Sequence, residues 1–295
     1  MRGVKIPDRG PMRDLKIAAV CMDSVTGEIF KNLDRTESYV SKASEMGVDI
    51  ICFPELSITG YILNNPINVY ADLSSDKVIE RVVGMAQENA LIIIAGIIEI
   101  SNGEKPYISQ LVAGPNGLLG LYRKTHLSPQ EKESYEAGEK IDVFKYRDIT
   151  FGVQLCYEAH FPEISTVLAL KGADIIFMPH ASPRGTPEEK MQSWLRHLTS
   201  RAFDNGLYVV ACNQVGDTRE GFSFPGVAMV LNPAGGVIAR YGGSQEKMLL
   251  VDLKQSEIRE IREHRMRYFI PNRRPELYRN LISHINSPPL NGKSA

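Results

Sequence analysis

The chain contains one short stretch twice, as GVDIICFPELS at 47–57 and as GADIIFMPHAS at 172–182. The two copies match at Gly, Asp, Ile, Ile, Pro and Ser. Two further pairs follow in the same order: ENALIIIAG (88–96) with DNGLYVVAC (204–212), and more weakly GPNGLLGLY (114–122) with NPAGGVIARY (232–241). Repetition in a constant order indicates a duplicated structural unit. The sequence therefore predicts two similar halves, each with the order strand, helix, strand, helix, strand, strand.

Short apolar runs bounded by turn residues predict buried strands, and apolar residues spaced three or four apart predict helices. The predicted strands are 16–23, 49–55, 91–100, 108–114, 149–158, 174–180, 207–216, 226–233 and 248–253. The predicted helices are 32–47, 75–90, 163–172 and 188–206. Glycine ends three of these helices, as expected for a residue that readily adopts the left-handed conformation of a C-cap.

Each half would leave one face of its sheet uncovered, and packing the two sheets face to face with helices outside buries both faces. We therefore expect an α/β protein, a four-layer α-β-β-α sandwich with an internal pseudo-twofold repeat. The sandwich domain is predicted to span 15–254. A flexible N-terminal tail (1–14) precedes it. A basic C-terminal arm with aromatic residues (255–295) follows, and we expect it to mediate oligomerisation.

The composition excludes several classes of partner. The 295 residues carry 34 basic and 35 acidic side chains, so charge gives no reason to expect nucleic acid or an anionic membrane as a partner. No apolar run reaches the roughly 18 residues of a membrane span, and the N-terminus lacks the apolar core of a signal peptide. The four cysteines have no paired spacing of a zinc site or disulfide framework. We expect a soluble cytoplasmic protein with a small-molecule substrate.

Three reactive side chains fall where strands are predicted to end, which is where open α/β sheets place their ligand sites. Glu55 ends the run DIICFPE and is either a solvated charge or a positioned base. Lys124 precedes a Pro-marked loop, where an ordinary surface lysine is the alternative. Cys156 lies between ITFGVQL and YEAHFPE, just before a helix. A helix N-terminus lowers the pKa of a thiol, so Cys156 is either a nucleophile or an unreactive buried side chain.

Together these segments resemble the nitrilase or carbon-nitrogen hydrolase superfamily, whose members use a Glu-Lys-Cys triad. The resemblance covers roughly residues 15 to 280. It rests on FPELSITGY (53–61), YRKTHL (122–127) and GVQLCYEAHFPE (152–163), with support from MPHASPRG, RAFDNGLYVVACNQVG and RRPELY. It implies the same α-β-β-α fold, catalysis without metal or cofactor, and a small-molecule amide, N-carbamoyl or nitrile substrate.

The resemblance also implies catalytic roles. Glu55 would deprotonate Cys156 and later a water, and Cys156 would form a thioester with the substrate. Lys124 and the backbone N–H of Tyr157 would stabilise the tetrahedral oxyanion.

A second active-site carboxylate is also implied by the resemblance. Alignment of QEKESYEAG (130–138) with the family assigns it to Glu131, where it would position the substrate or the deacylating water. Glu133 and Glu136 lie in the same charged loop, and a simple solvated charge is the alternative for Glu131.

Further residues are expected to border the pocket. The loop PHASPRGTP (179–187) is the counterpart of the Glu55 loop in the repeat, which brings His180 and Arg184 towards the site. Tyr61 closes the first family motif and is expected there as well. Arg184 either grips a substrate carboxylate or is a solvated loop charge. In the first case the substrate is a small acid that carries an amide or carbamoyl group.

We expect a thiol amidohydrolase of the amidase-like branch, which cleaves a small carboxamide or N-carbamoyl compound and releases ammonia or an amine. A nitrilase uses the same residues and is the nearest alternative, although Tyr157 stands where nitrilases usually carry tryptophan. A Cys-His hydrolase built on Cys156 would leave Glu55 and Lys124 unexplained. A non-catalytic scaffold of the same fold would be expected to have lost a triad residue, and none is lost. Family members commonly form homodimers or larger assemblies, and we expect the same here.

Overall fold

The computed structural model describes residues 13–67, 75–100, 105–218 and 221–278. Its strands are β1 (Leu15–Cys21), β2 (Ile50–Cys52), β3 (Ile92–Glu99), β4 (Tyr107–Gly114), β5 (Gly117–Arg123), β6 (Val143–Tyr146), β7 (Ile149–Val153), β8 (Ile175–His180), β9 (Tyr208–Asn213), β10 (Gly216–Asp217), β11 (Ser223–Phe224), β12 (Gly226–Leu231), β13 (Val237–Gly243) and β14 (Lys247–Leu253). Its α-helices are α1 (Ile29–Glu45), α2 (Ser75–Glu88), α3 (Glu131–Ser134), α4 (Pro162–Leu170), α5 (Pro187–Asn205) and α6 (Gln255–Glu263).

Two six-stranded sheets repeat one strand order. The first is β14-β1-β2-β3-β4-β5 and the second is β6-β7-β8-β9-β12-β13. In each sheet three neighbouring strands are parallel and the strands on either side of them are antiparallel. Strands β7, β8, β9, β12 and β13 thus correspond to β1 to β5, which is the internal repeat. Strand β14 returns from the second half to occupy, in the first sheet, the place that β6 has in the second.

Side chains alternate between two apolar layers along each central strand. In β1, Ile17 and Ala19 face the other sheet, whereas Ala18 and Val20 pack towards α1 and α2. In β8, Phe177 faces the first sheet, whereas Ile176 and Met178 pack towards α4 and α5. Strands covered on both faces become almost wholly apolar, because neither face meets water. The fold is the four-layer α-β-β-α sandwich predicted from the repeat.

Several predicted strands end earlier than expected, and two of these strand ends carry reactive residues. The predicted strand 49–55 ends at Cys52, because Pro54 has no N–H to continue the pairing that Phe53 makes with Ile94 of β3 at 2.8 Å. The predicted strand 149–158 ends at Val153. There the chain turns out of the sheet, and its next reactive residues lie in a turn rather than in a strand.

Among the strands of the two six-stranded sheets, β5, β6 and β13 were not predicted from the sequence. All three lie at outer edges of the two sheets. The segments of β5 and β13 were recognised only as the turns of the third repeated pair. Edge strands are partly exposed, so their sequences carry neither a continuous apolar run nor a clean alternation.

The first part of the C-terminal arm packs onto the sandwich. Ile258 and Ile261 of α6 are buried, and Ile270 is buried against the second half. Arg262 pairs with Asp174 at 2.6 Å. Residues 279–295 of the arm lie outside the described residues.

The N-terminal tail predicted over 1–14 falls largely outside the described part of the chain, which begins at residue 13. Arg13 and Asp14 already bond to the domain. The N–H of Arg13 donates to Asp148 at 3.0 Å, and that of Gln255 donates to Asp14 at 2.9 Å. None of the helices within the described ranges is both long and apolar enough to cross a membrane.

Candidate active site

The reactive residues lie just after the carboxyl ends of strands, on the side of the sandwich where those strand ends of both sheets meet. Glu55 follows β2 and Lys124 follows β5 in the first sheet, whereas Cys156 follows β7 and Ala181 follows β8 in the second. The N–H of Ala181 donates to Glu55 Oε2 at 3.0 Å, so the two sheets meet at the site. Face-to-face packing of the halves therefore brings together side chains that are 126 residues apart.

Lys124 is fully buried between two carboxylates. Its Nζ donates to Glu55 Oε1 at 2.7 Å and to Glu131 Oε1 at 2.7 Å. The other oxygen of Glu131 accepts the N–H of Ser128 at 2.7 Å, at the start of the short helix α3. The surface-lysine interpretation is therefore wrong for Lys124.

Of the three glutamates in the loop 130–138, the structure brings Glu131 to Lys124. Glu131 is buried, whereas Glu133 and Glu136 are exposed to solvent. A solvated charge is therefore excluded for Glu131.

The turn that carries Glu55 depends on a close backbone approach. Leu56 has a positive φ of 55°, and a Cβ at Gly96 of β3 would stand 2.0 Å from the Leu56 nitrogen. Only glycine at position 96 leaves room for the turn to lie against the sheet. The side-chain amide of Gln214 donates to the Glu55 carbonyl oxygen at 2.7 Å, which fixes the turn from the second half.

Burial and charge oppose each other in the pKa values of the pair. Burial raises the pKa of Glu55, and the charge of Lys124 lowers it only in part. Burial disfavours the charged form of Lys124, but Glu55 and Glu131 outweigh that effect and hold the Lys124 pKa well above its usual value. Lys124 therefore stays an ammonium, and Glu55 is a carboxylate that readily takes a proton.

Cys156 begins a 3-10 turn, Cys156–His160, with a positive φ of 38°. Such a φ is strained for a residue with a side chain and is typical of functional sites. Burial raises the thiol pKa, and the neighbouring Glu55 charge raises it further, while Lys124 and the Ala181 N–H lower it. The expectation that a helix N-terminus lowers this pKa is wrong, because burial dominates and the helix that follows is a single short turn.

Tyr157 is the second residue of this turn and lines the adjoining cavity. The first hydrogen bond of the turn runs from the N–H of Glu158 to the carbonyl oxygen of Leu155 at 2.7 Å. The Tyr157 N–H precedes that bond, where helix donors lack an intrahelical partner.

Glu158 is a buried carboxylate that the sequence analysis missed. Its Oε2 accepts the N–H of Leu155 at 2.6 Å, directly before Cys156. Its Oε1 accepts the N–H and hydroxyl of Thr125 at 2.7 and 2.6 Å, directly after Lys124. The hydroxyl of Tyr122 donates to both oxygens. One carboxylate thus ties the segment of the lysine to the segment of the cysteine, and its place two residues after Cys156 was the available signal.

A cavity of about 270 Å³ opens at this edge. Its lining includes the expected Tyr61, Glu131, Cys156, Tyr157, His160, His180 and Arg184. It also includes Lys190, His197 and Phe222, which were not predicted to lie there. Tyr61 is buried against Phe222 and Phe224, with ring centroids 5.3 and 5.7 Å apart. Within the described ranges no group of three or more His, Cys, Asp or Glu side chains could hold a metal ion.

The three histidines of the cavity wall are held neutral. Burial lowers the pKa of His180 to about 3 and that of His197 to about 4. Burial and the charge of Arg201 lower the pKa of His160. His180 Nδ1 bonds to the Met178 carbonyl oxygen at 2.7 Å, so this nitrogen carries the proton and Nε2 is an acceptor.

Two cations line the outer wall of the cavity. Arg184, which was predicted to bind substrate, is exposed and has a positive φ of 71°. Its backbone N–H donates to the Ser223 carbonyl oxygen. Lys190 is partly buried, and burial lowers its pKa. Sequence reasoning missed Lys190 because it stands among charged residues at the start of α5, where a solvated lysine is ordinary.

The fold and site define a class of hydrolase with a cysteine beside a buried Glu-Lys pair. The family model for carbon-nitrogen hydrolases matches residues 16–263, and the chain belongs to this family, within the nitrilase superfamily. It is a carbon-nitrogen hydrolase, and the resemblance stated from the motifs is confirmed. The match extends past residue 254, where the sequence analysis ended the domain.

Similar proteins have related activities. A nitrilase of Pyrococcus abyssi is 30% identical, over 90% of this chain and 99% of its own. An N-carbamoylputrescine amidase of Solanum lycopersicum is 27% identical, over 94% of this chain and 98% of its own. A mutant of an amidase from Nesterenkonia AN1 superimposes with a TM-score of 0.78 at 25% identity, over 94% of this chain and 99% of its own.

Proposed function

We propose that the chain is a thiol amidohydrolase that cleaves a small carboxamide or N-carbamoyl compound through a thioester on Cys156. The main support is the buried Lys124 ammonium, held at 2.7 Å from both Glu55 and Glu131 at the edge where Cys156 meets the cavity. Burying three charges costs free energy even when they are paired, and such buried charged clusters are typical of functional sites. Attack on an unactivated amide requires a nucleophile, a proton shuttle and a cation near the developing negative charge, and these residues supply all three.

Acylation begins with a neutral thiol, since the raised pKa keeps Cys156 protonated at rest. As Sγ bonds to the amide carbon, the thiol proton passes to Glu55, whose raised pKa makes its carboxylate a suitable proton acceptor. The carbonyl oxygen becomes an oxyanion. Lys124 has three N–H donors and its carboxylate partners take two, so the third is the donor for the oxyanion, with the Tyr157 N–H beside it. Glu55 then passes the proton to the amide nitrogen, the C–N bond breaks, and ammonia leaves.

Deacylation uses the same groups, with a water molecule as the nucleophile and Cys156 as the leaving group. Glu55 takes a proton from a water, whose oxygen attacks the thioester carbon, and Lys124 again faces the oxyanion. The C–S bond breaks, the acid leaves, and the proton returns from Glu55 to Cys156. Glu131 is held by Lys124 and the Ser128 N–H, and in this scheme it keeps the ammonium in place and orients the water.

The cavity supports a small substrate. Its volume of about 270 Å³ lies below the range of pockets for drug-sized ligands. The similar proteins named above act on nitriles, carbamoyl compounds and amides, so their names do not choose among these classes. Tyr157 favours the amide over the nitrile, and a nitrilase is the second candidate because one relative at 30% identity carries that name.

Self-association and a cytoplasmic location belong to the proposal. Exposed apolar side chains on the arm, among them Met266 and Leu277, support a homo-oligomer. The four cysteines carry free thiols, which supports a reducing compartment.

The test is ammonia release from a panel of small amides, N-carbamoyl amino acids and nitriles by the wild-type protein and by Cys156→Ala. We expect Cys156→Ala to lose about 10⁴-fold or more in kcat with an unchanged circular dichroism spectrum, because it removes the nucleophile of a covalent mechanism. Cys21→Ala is the matched control: it removes a buried thiol of β1 and should stay active. More than a few per cent of activity in Cys156→Ala would exclude the thioester mechanism.

A further inference from the structure

The charged side chains of the cavity wall do not balance one another. Among the lining residues that the structure describes, the charged ones are Glu131, Arg184 and Lys190. Glu131 is already bound to Lys124 and to the Ser128 N–H. The three histidines are neutral for the reasons given above. Two cations therefore face the cavity without an opposing charge, and of the two Lys190 is the more buried.

Lys190 is held in place by neutral oxygens. Its Nζ donates to Ser182 Oγ at 2.8 Å and to the Pro183 carbonyl oxygen at 3.0 Å. The loop of Ser182 and Pro183 is itself fixed by the buried side-chain amide of Asn213. This amide accepts a hydrogen bond from the Ser182 N–H at 2.8 Å and donates one to the Ser182 carbonyl oxygen at 3.0 Å. An ammonium has three N–H donors, so one remains for a ligand.

The position of Lys190 on its helix directs it to the same cavity as the nucleophile. Lys190, Ser193, Trp194 and His197 all line the cavity and recur at the three- and four-residue spacing of one helix face. Cys156 lines the same cavity, whose volume is about 270 Å³, so a small ligand in it can contact both residues.

We propose that Lys190 binds a carboxylate of the substrate, so that the protein acts on short amides or carbamoyl compounds that carry an acid group, such as half-amides of small dicarboxylic acids. This inference rests on the proposed function. A partly buried ammonium bonded only to neutral oxygens gains most from an anionic partner that is also removed from water. Arg184 stands in the same wall but is exposed, where solvent weakens its attraction for an anion.

The test compares two substrates of one shape: succinamate, which carries a carboxylate, and 4-oxopentanamide, which carries a methyl ketone in its place. Lys190→Met removes the charge, Lys190→Arg keeps it, and Arg196→Met removes an exposed charge from the same helix outside the cavity. Ammonia release gives kcat and KM. Calorimetric binding of both compounds to Cys156→Ala, with and without Lys190→Met, measures the subsite without turnover.

We expect wild type to prefer succinamate, and Lys190→Met to raise its KM about tenfold or more, as for loss of a charged hydrogen bond, with 4-oxopentanamide changed less than about twofold. Lys190→Arg should retain most of the preference and Arg196→Met all of it. Equal losses of kcat on both substrates would mean that Lys190 serves Cys156 instead, and would overturn the inference, as would a wild type without preference. If wild type released no ammonia from any compound, the proposed function would fail, and the calorimetric comparison would still decide on Lys190.

Discussion

At the scale of single residues, the surroundings of Cys156 favour its protonated thiol in the absence of substrate. Cys156 keeps a thiol rather than a thiolate, because burial and the nearby Glu55 charge raise its pKa. Glu55 keeps a carboxylate that is costly to bury and is therefore ready to accept a proton. A permanent thiolate would react with oxidants and alkylating agents, whereas in the proposed mechanism the thiolate forms only during attack on the substrate.

The buried carboxylate of Glu158 acts on the site without facing the cavity. It accepts hydrogen bonds from Leu155, which precedes the cysteine, and from Tyr122, Thr125 and His126, which flank the lysine. All of these partners are donors, so the position requires a group that only accepts. We regard Glu158 as a positioning residue, which fixes the separation of Lys124 and Cys156.

Glu158→Gln tests this role. An amide would turn its NH₂ group towards a backbone N–H, so one donor is left unpaired, at a cost of about 1–3 kcal/mol in the free energy of unfolding. A shift of the lysine segment against the cysteine should also lower kcat by about tenfold to a hundredfold with KM little changed. Kinetics and chemical denaturation give both numbers.

The matched control for Glu158→Gln is Glu163→Gln, an exposed carboxylate at the start of α4 that should change neither quantity. A variant at 158 that loses stability but keeps full kcat would show a structural role only.

At the scale of the elements, the turn after β2 that carries Glu55 depends on a glycine in the neighbouring strand β3. A methyl group at position 96 would overlap the backbone of Leu56, so Gly96→Ala must displace the turn that carries Glu55. Overpacking of this kind costs about 1–3 kcal/mol, and we also expect kcat to fall because the Glu55 carboxylate moves. Thermal unfolding and ammonia release measure the two effects.

Gly84→Ala provides the opposite case. Gly84 lies in α2, and an added Cβ there meets nothing within 4 Å. Alanine favours the helix by about 0.5–1 kcal/mol, so this variant should unfold at a higher temperature with unchanged activity. Unchanged activity in Gly96→Ala would show that the turn can shift without moving the carboxylate.

The elements that the sequence predicted are those with strong local signals. The central strands are apolar because both faces are covered, and α5 carries a capping box of Thr186 with Glu189 and ends at Gly206. Edge strands such as β5 and β13 lack such signals. Glu55, Lys124 and Cys156 were found from motifs at strand ends. Lys190 and Glu158 were missed because what distinguishes them is burial and partners, and neither can be read from residue type.

At the scale of the whole molecule, neither half contains the site alone. Glu55, Lys124 and Glu131 come from the first half, and Cys156 and Lys190 come from the second. The halves are also interlocked, because β14 from the end of the second half pairs with β1 over seven residues. Assembly of the site is thus coupled to docking of the two sheets.

The described part of the arm carries exposed apolar side chains. Met266 is 78% exposed and Leu277 is 61% exposed. Phe269 is 40% exposed and lies 5.5 Å, between ring centroids, from the partly exposed Phe203 of α5. Apolar side chains grouped on a surface are a common feature of protein interfaces. We predict that these exposed side chains of the arm, together with Phe203, form an apolar patch that joins two or more copies of the chain.

Point variants test the patch better than truncation of the arm, because Ile258 and Ile270 belong to the core and their loss would unfold the protein. The double variant Met266→Glu with Phe269→Glu places like charges opposite each other across a symmetric interface, so we expect light scattering to give the 32.9 kDa of one chain, whereas wild type gives a multiple of it. Phe30→Glu changes an aromatic residue of α1 that is 54% exposed, against 40% for Phe269, and should leave the mass as in wild type. A monomeric wild type, or a double variant that keeps the wild-type mass, would exclude the patch as the interface.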